Sequence, residues 1–157
     1  MTTFRALIEA CRAHVEELYP WDLTDALEAK RPLLLLDVRE PYEFNALAIR
    51  GSINVPRGIL EPSCEYGFEE TLPELVEARE RSIVVICRSG NRSLLAAQVM
   101  QQLGYRDVRS LATGLKGWND YDQPLWNSRG ERVDPDTAEA ILSPPLRPAQ
   151  LGPQGKA

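Results

Sequence analysis

The run Ser82-Ile83-Val84-Val85-Ile86-Cys87 constrains this chain more than any other segment. Four β-branched apolar residues in succession favour extended backbone, because their side chains are stiff at χ1. With no polar residue to turn toward water, such a run suits a strand covered on both sides, as in a parallel sheet. Three more short segments fit beside it: Leu33 to Val38 after Pro32, Ile53 to Val55 before Pro56, and Asp107 to Leu111. Helical spacing falls between them, at 69–79 and at 91–103, where Gly104 supplies a C-terminal stop. Strands alternating with helices predict an α/β domain built on a parallel sheet.

The flanks have a different character. Phe4, Leu7, Ile8, Cys11, Val15 and Leu18 recur in steps of three and four, which predicts an amphipathic helix over 4–18, capped by Thr2 or Thr3. A second short helix is expected from Asp22 to Lys30, ended by Pro32. The expected organisation is an N-terminal helix packed on the domain (1–19), the α/β domain (20–125) and a C-terminal extension (126–157). Residues 143–157 hold four prolines, two glycines and few apolar side chains, so the extension is expected to be largely disordered from about 143.

Composition excludes several functions. At 157 residues and 43% apolar content, the chain can bury a core without disulfide staples. A net charge of −5 argues against an extended nucleic-acid interface. Three cysteines rule out a fully paired disulfide framework, and a single histidine rules out His-rich metal sites. Arg5 and Glu9 interrupt the N-terminus, so neither an export signal nor a lipoprotein reading of Cys11 is supported. No segment approaches the run of about 18 apolar residues that a membrane span needs. The expectation is a cytoplasmic protein with reduced thiols and no membrane or nucleic-acid partner.

The chemistry concentrates after the strongest strand, in Cys87-Arg88-Ser89-Gly90-Asn91-Arg92-Ser93. A cysteine ends the strand, a short polar loop follows, and a helix begins with Ala96, Ala97, Val99, Met100 and Leu103 on its buried side. Unpaired amides at a helix N-terminus favour a thiolate or a bound anion. Gly90 permits the tight path, and Arg88 and Arg92 can bind an oxyanion. Ser93 can cap the helix or donate to the sulfur. The alternative is a buried cysteine before an ordinary turn, but strand, loop, arginines and helix together favour the chemical reading.

These residues resemble the rhodanese superfamily of sulfurtransferases. The likeness spans about 20–125 and rests on four ordered segments. They are Leu34 to Phe44 (LLLDVREPYEF), Gly51 to Pro56 (GSINVP), Cys87 to Ser93 (CRSGNRS) and Gly114 to Trp118 (GLKGW). The resemblance implies a rhodanese-like α/β fold, with a central, mostly parallel sheet and helices on both faces. It implies that Cys87 takes the outer sulfur of thiosulfate or a persulfide, becomes a persulfide, and passes that sulfur to a thiol or cyanide. Arg88, Ser89, Gly90, Asn91, Arg92 and Ser93 would cradle the substrate, with Asp37 and Arg39 as charge-paired supports. No cofactor and no metal are implied. The partners implied are a small anionic sulfur donor and a thiol or protein sulfur acceptor. Leu47-Ala48-Ile49 departs from the family's frequent Gly-His-Ile, which weakens subfamily assignment.

Two other readings use the same cysteine. One is a sulfur-carrier or interaction module that needs a protein partner. The other is a cysteine-dependent phosphatase, which needs a longer loop than the four residues between Cys87 and Arg92. Cys64 reads as a loop thiol flanked by Glu61 and Glu65, and Cys11 as core packing. His14 reads as a surface residue. Trp118 reads as core, whereas Trp21 and Trp126 fit domain edges or a partner surface.

Overall fold

A computed structural model describes residues 1–153 of the chain. Its main sheet contains β1 (Glu17–Leu18), β2 (Leu34–Asp37), β3 (Ile53–Asn54), β4 (Ser82–Ile86) and β5 (Asp107–Leu111). All pairings are parallel, and the order is β1-β5-β4-β2-β3. The strongest apolar run thus forms the central strand. Ile83 and Val85 enter the core on one face, while Val84 and Ile86 enter it on the other. Period-two alternation between two covered faces is why the run needs no polar residue.

Helices cover both faces. On the first lie α1 (Phe4–Arg12), α4 (Leu60–Ser63), α5 (Pro73–Val76) and α6 (Asn91–Gln102). They bury Ile8, Cys11, Leu60, Leu75, Leu94 and Met100 against β4 and its neighbours. On the second lie α2 (Pro20–Glu28), α7 (Gly114–Asp120) and α8 (Pro135–Leu142), which bury Leu23, Leu115, Trp118, Ala138 and Leu142. The short α3 (Pro41–Ala46) follows β2, and β6 (Leu125–Trp126) pairs antiparallel with β7 (Arg132–Val133). This is the expected α/β architecture. Among the described residues, no helix is long and apolar enough to cross a membrane.

Local differences have physical causes. Thr3 caps α1 through the Ala6 amide, but the helix stops at Arg12 rather than near residue 18. Val15 and Leu18 still face the core, because Glu17–Leu18 runs extended along β5 as an edge strand. The expected helix over 69–79 contracts to Pro73–Val76. Proline has no N–H and is best placed in a first turn, while Thr71 Oγ1 accepts from the Phe68 amide and forms a preceding turn.

The extension past 125 packs on the domain as far as α8. Asp134 caps α8 through the Thr137 amide, and Asn119 of α7 donates to the Pro135 carbonyl. Beyond it, Pro148–Leu151 forms a 3-10 turn closed by the Gln150 amide on the Arg147 carbonyl. Proline at 148 presets φ for that turn. The expectation of disorder from about 143 also covers 154–157, which lie outside the described residues.

The strand order positions the site. From β2 the chain moves outward to β3, then returns to β4 on the other side and continues to β5. Loops leaving the carboxyl ends of β2 and β4 therefore diverge and leave a crevice, the usual ligand position in an open parallel sheet. Asp37 ends β2, and Cys87 directly follows β4.

Candidate active site

Cys87 sits at the bottom of the loop that joins β4 to α6 and is almost fully buried. Its Sγ accepts from the Gly90 amide at 3.1 Å and from the Ser93 amide at 3.3 Å. The thiol donates to Ser93 Oγ at 3.3 Å. When the sulfur carries charge, the Ser93 hydroxyl can reverse and donate to it. Ser93 Oγ also shares a 2.7 Å hydrogen bond with Ser110 Oγ of β5. Amide and hydroxyl donors converging on one sulfur suit negative charge at that atom.

Gly90 makes this convergence possible. It occupies the N-cap of α6 at φ +96°, in the left-handed region, which turns its amide inward. On the far side, the start of α7 grips the loop backbone: Leu115 N donates to Cys87 O and Lys116 N to Arg88 O, both at 3.0 Å. Gly114 lies so close that a Cβ there would come within 2.6 Å of the Cys87 and Arg88 carbonyl oxygens. The Gly114-to-Trp118 segment singled out in the sequence is therefore the rear wall of the cysteine loop. Trp118 packs in the core, with its indole N–H on the Pro124 carbonyl at 3.0 Å.

The two loop arginines have different surroundings. Arg92 is engaged by Glu43 of α3, Nη1 to Oε1 at 2.8 Å and Nη2 to Oε2 at 2.9 Å. Burial pushes the Glu43 carboxyl up, but hydrogen bonds from Arg92 and the Glu40 region, with the charges of Arg92 and Arg39, outweigh it. The pKa of Glu43 ends below its ordinary value. Among the described residues Arg88 has no such partner: its Nε is buried and makes no hydrogen bond. Ser89 and Asn91 are half-buried along the loop.

Asp37 and Arg39 form a buried ion pair beside the loop. Arg39 Nε donates to Asp37 Oδ1 at 3.0 Å and Nη2 to Oδ2 at 2.8 Å. Arg39 also reaches the Leu47 carbonyl at 2.6 Å and the Glu43 carbonyl at 3.3 Å, so it ties the end of β2 to the middle and the C-terminal end of α3. Asp37 is in register with Ile86, one residue before Cys87. Neither side chain contacts the sulfur in a hydrogen bond. Leu47, at the position that departs from the family's pattern, is fully buried.

The other thiols lie apart from this loop. Cys11 donates to the Leu94 carbonyl at 3.1 Å inside the first core. Cys64 is fully buried after α4, not on a solvent-side or half-buried loop. Burial pushes both thiols above their ordinary range. For Cys64 the Glu61 charge contributes least of the causes, so burial rather than acidic flanks quiets it. His14 is exposed. Trp21 is exposed and stacked on Tyr19, while Trp126 lies under the Arg50 guanidinium. Among the described residues, no three His, Cys, Asp or Glu side chains gather as a metal site.

Known proteins share this sequence pattern and fold. The sequence model described as a rhodanese-like domain matches residues 20–121. The chain belongs to the rhodanese-like family. A Schizosaccharomyces pombe relative, "Putative thiosulfate sulfurtransferase, mitochondrial", is 36% identical over 100 residues, covering 59% of this chain and 70% of its own. The human single-domain sulfurtransferase TSTD1 superposes with a TM-score of 0.57 at 29% identity, covering 68% of this rhodanese-like chain and 96% of its own. A Rhodopseudomonas palustris protein of unknown function, described as a "Possible Tyrosine Phosphatase", superposes with a TM-score of 0.71 at 25% identity, covering 79% and 94%. Much longer relatives also match. The chain spans 19% of the Zea mays adenylyltransferase and sulfurtransferase MOCS3-2, at 34% identity over 67% of this chain.

Two positions that contact the loop were given no role by the sequence reading. Ser110 is an unremarkable polar residue in a strand segment; only its buried register next to Ser93 shows its place. Glu43 stands 49 residues before its partner Arg92, on a helix that carries no buried residue.

Proposed function

We propose that this protein is a sulfurtransferase that carries sulfane sulfur on Cys87. The observation that carries the reading is the convergence of the Gly90 amide, the Ser93 amide and the Ser93 hydroxyl on Cys87 Sγ. In the first half-reaction the Cys87 thiolate attacks the outer sulfur of thiosulfate. A bond forms between Sγ and that sulfur, the S–S bond of thiosulfate breaks, and the electron pair leaves with sulfite. Cyanide or a thiolate then takes the outer sulfur as thiocyanate or a persulfide, and the electron pair of the broken S–S bond returns to Sγ. Donors already aimed at the sulfur stabilise charge as it develops there.

The arginines divide the work. Arg92, held by Glu43, stiffens the first turn of α6. Arg88, which pairs with no carboxylate among the described residues, is the cation left to meet the anionic donor. Asp37 and Arg39 position the crevice without touching substrate. The same pairing weighs against a phosphatase, because Arg92 would have to leave both oxygens of Glu43 to clasp a phosphate.

The test is intact-protein mass spectrometry after incubation with thiosulfate, paired with thiocyanate release from cyanide. The expected result is one added sulfur atom on Cys87 and none in Cys87→Ser. Appreciable turnover by Cys87→Ser would overturn the assignment. Loading only from a protein-bound persulfide would identify a sulfur-carrier module instead.

A further inference from the structure

Three aromatic side chains meet at the surface where α2 begins and α7 ends. Tyr19 stacks on Trp21, with ring centroids 4.9 Å apart and planes 4° apart. Trp21 and Tyr121 meet edge to face at 5.8 Å. The three are 47%, 47% and 44% exposed, a large apolar area to leave in water. Pro20, buried between the first two in sequence, fixes the backbone at the start of α2. The rings are therefore ordered before any partner arrives, which lowers the cost of binding one.

These rings lack the cation that other aromatics of the chain possess. Arg50 lies 3.5 Å over the Trp126 ring, and Arg79 lies 4.9 Å over the Tyr105 ring. Among the described residues, no arginine or lysine covers Tyr19, Trp21 or Tyr121. Their surroundings are acidic. Asp120 and Asp122 bracket Tyr121 in sequence, and Asp22 follows Trp21. Asp25 stands four residues after Trp21, on the same face of α2. Among the described residues, none of these four aspartates pairs with a basic side chain.

Two of them lead into a groove. A cavity of about 750 Å³ runs between α2, β1 and the starts of β4 and β5. Its charged lining is Glu16, Glu17, Asp22, Asp25 and Asp107, against Arg31 and Arg109. Arg12 already holds Glu17 at 2.8 Å, and Arg109 reaches Asp107 at 3.8 Å. Glu16, Asp22 and Asp25 remain against Arg31 alone, so the groove keeps an excess of negative charge.

We propose that this surface docks an arginine-rich segment of a protein partner, with one guanidinium flat on Trp21 and its neighbours in the groove along α2. Arginine fits better than lysine, because its planar head stacks on a ring and still forks to a carboxylate. Tryptophan and tyrosine are also the residue types that carry most binding energy at interfaces. The inference goes beyond sulfur transfer and does not depend on it. α7 nevertheless joins this surface to the cysteine loop. Its Leu115 and Lys116 amides hold the Cys87 and Arg88 carbonyls, and Tyr121 follows its last residue. Seven helical residues span about 10 Å, so a partner held at Trp21 lies one short helix from Cys87.

The experiment measures binding of fluorescently labelled octa-arginine and octa-lysine peptides to the full chain by anisotropy. Octa-arginine is expected to bind more tightly than octa-lysine. Trp21→Ala is expected to weaken octa-arginine about tenfold and to erase that preference. Asp22→Asn with Asp25→Asn is expected to weaken both peptides. Glu69→Gln with Glu74→Gln removes the same charge from exposed acids elsewhere and is expected to change little. Thermal midpoints check that each variant is folded, and Tyr121→Ala repeats the ring test from a second element. Octa-arginine binding unchanged in both ring variants overturns the proposal. Equal losses in the two double variants also overturn it, because they mark attraction to net charge alone. A dimer that Trp21→Ala dissociates in analytical ultracentrifugation overturns it too, since a second copy then occupies the surface.

Discussion

Arg92 and Glu43 meet through two hydrogen bonds, at 2.8 and 2.9 Å, and join the first turn of α6 to the helix that follows β2. The pair links the two loops that diverge from the carboxyl ends of β4 and β2, so it sets the width of the crevice above Cys87.

That link gives the protein an acid-sensitive contact. The folded pKa of Glu43 lies below its ordinary value of 4.5, so the folded state binds its proton less readily than the unfolded chain does. The stabilisation is fully present above pH 4.5 and is lost as pH falls through the lower folded pKa. Because the pair is partly exposed, its worth is about 1 kcal/mol. Urea denaturation from pH 6 down to pH 3, compared with Glu43→Gln, checks this. The wild type should lose its advantage over the variant in the acidic part of that range. A constant difference across the range would show that the pair does not titrate with folding.

The Asp37–Arg39 pair is a different case, because both partners are buried and Arg39 has further bonds to Leu47 and Glu43 carbonyls. Removing one charge leaves the other without compensation. Asp37→Asn and Arg39→Met should each cost about 3–5 kcal/mol. The double variant Asp37→Asn with Arg39→Met should cost less than the sum of its single changes. Guanidinium denaturation of the four proteins measures both. Strict additivity would mean that the two side chains act independently.

The legible parts of this fold are local. Ile83 to Cys87, the glycine at 90 and the helix that follows are contiguous in sequence. Their periodicity and turn chemistry specify a buried strand, a tight loop and a helix N-terminus without help from elsewhere. Asp37 and Arg39 could be connected with the loop only through resemblance, since β2 and β4 become neighbours by sheet order rather than by sequence. The partners Glu43 and Ser110 needed the tertiary register, because nothing in a lone glutamate or serine marks what faces it. Short elements failed where an apolar residue serves two geometries. Val15 and Leu18 satisfy a helical step and yet are buried around an edge strand. The segment from Ser143 reads as polar and proline-rich, and only the fold shows that it lies across a cavity from Arg88 and Lys116.

Gly114 offers the sharpest test of how the loop is shaped. It has φ +60°, and an added Cβ would meet the Cys87 and Arg88 carbonyl oxygens at 2.6 Å, where backbone rather than a flexible side chain must yield. Gly67 is the matched control: its φ is +97°, but nothing lies within 4 Å of its Cβ position. Gly67→Ala should therefore cost only the left-handed strain, about 1–2 kcal/mol, and leave sulfur transfer unchanged. Gly114→Ala carries an overpacking cost of about 1–3 kcal/mol more. It also pushes α7 away from the Leu115 and Lys116 hydrogen bonds that grip the loop. Thermal or urea unfolding measures the first effect, and the rate at which Cys87 takes sulfur from thiosulfate measures the second. Equal losses in the two alanine variants, with undiminished sulfur uptake in Gly114→Ala, would show that α7 does not shape the cysteine loop.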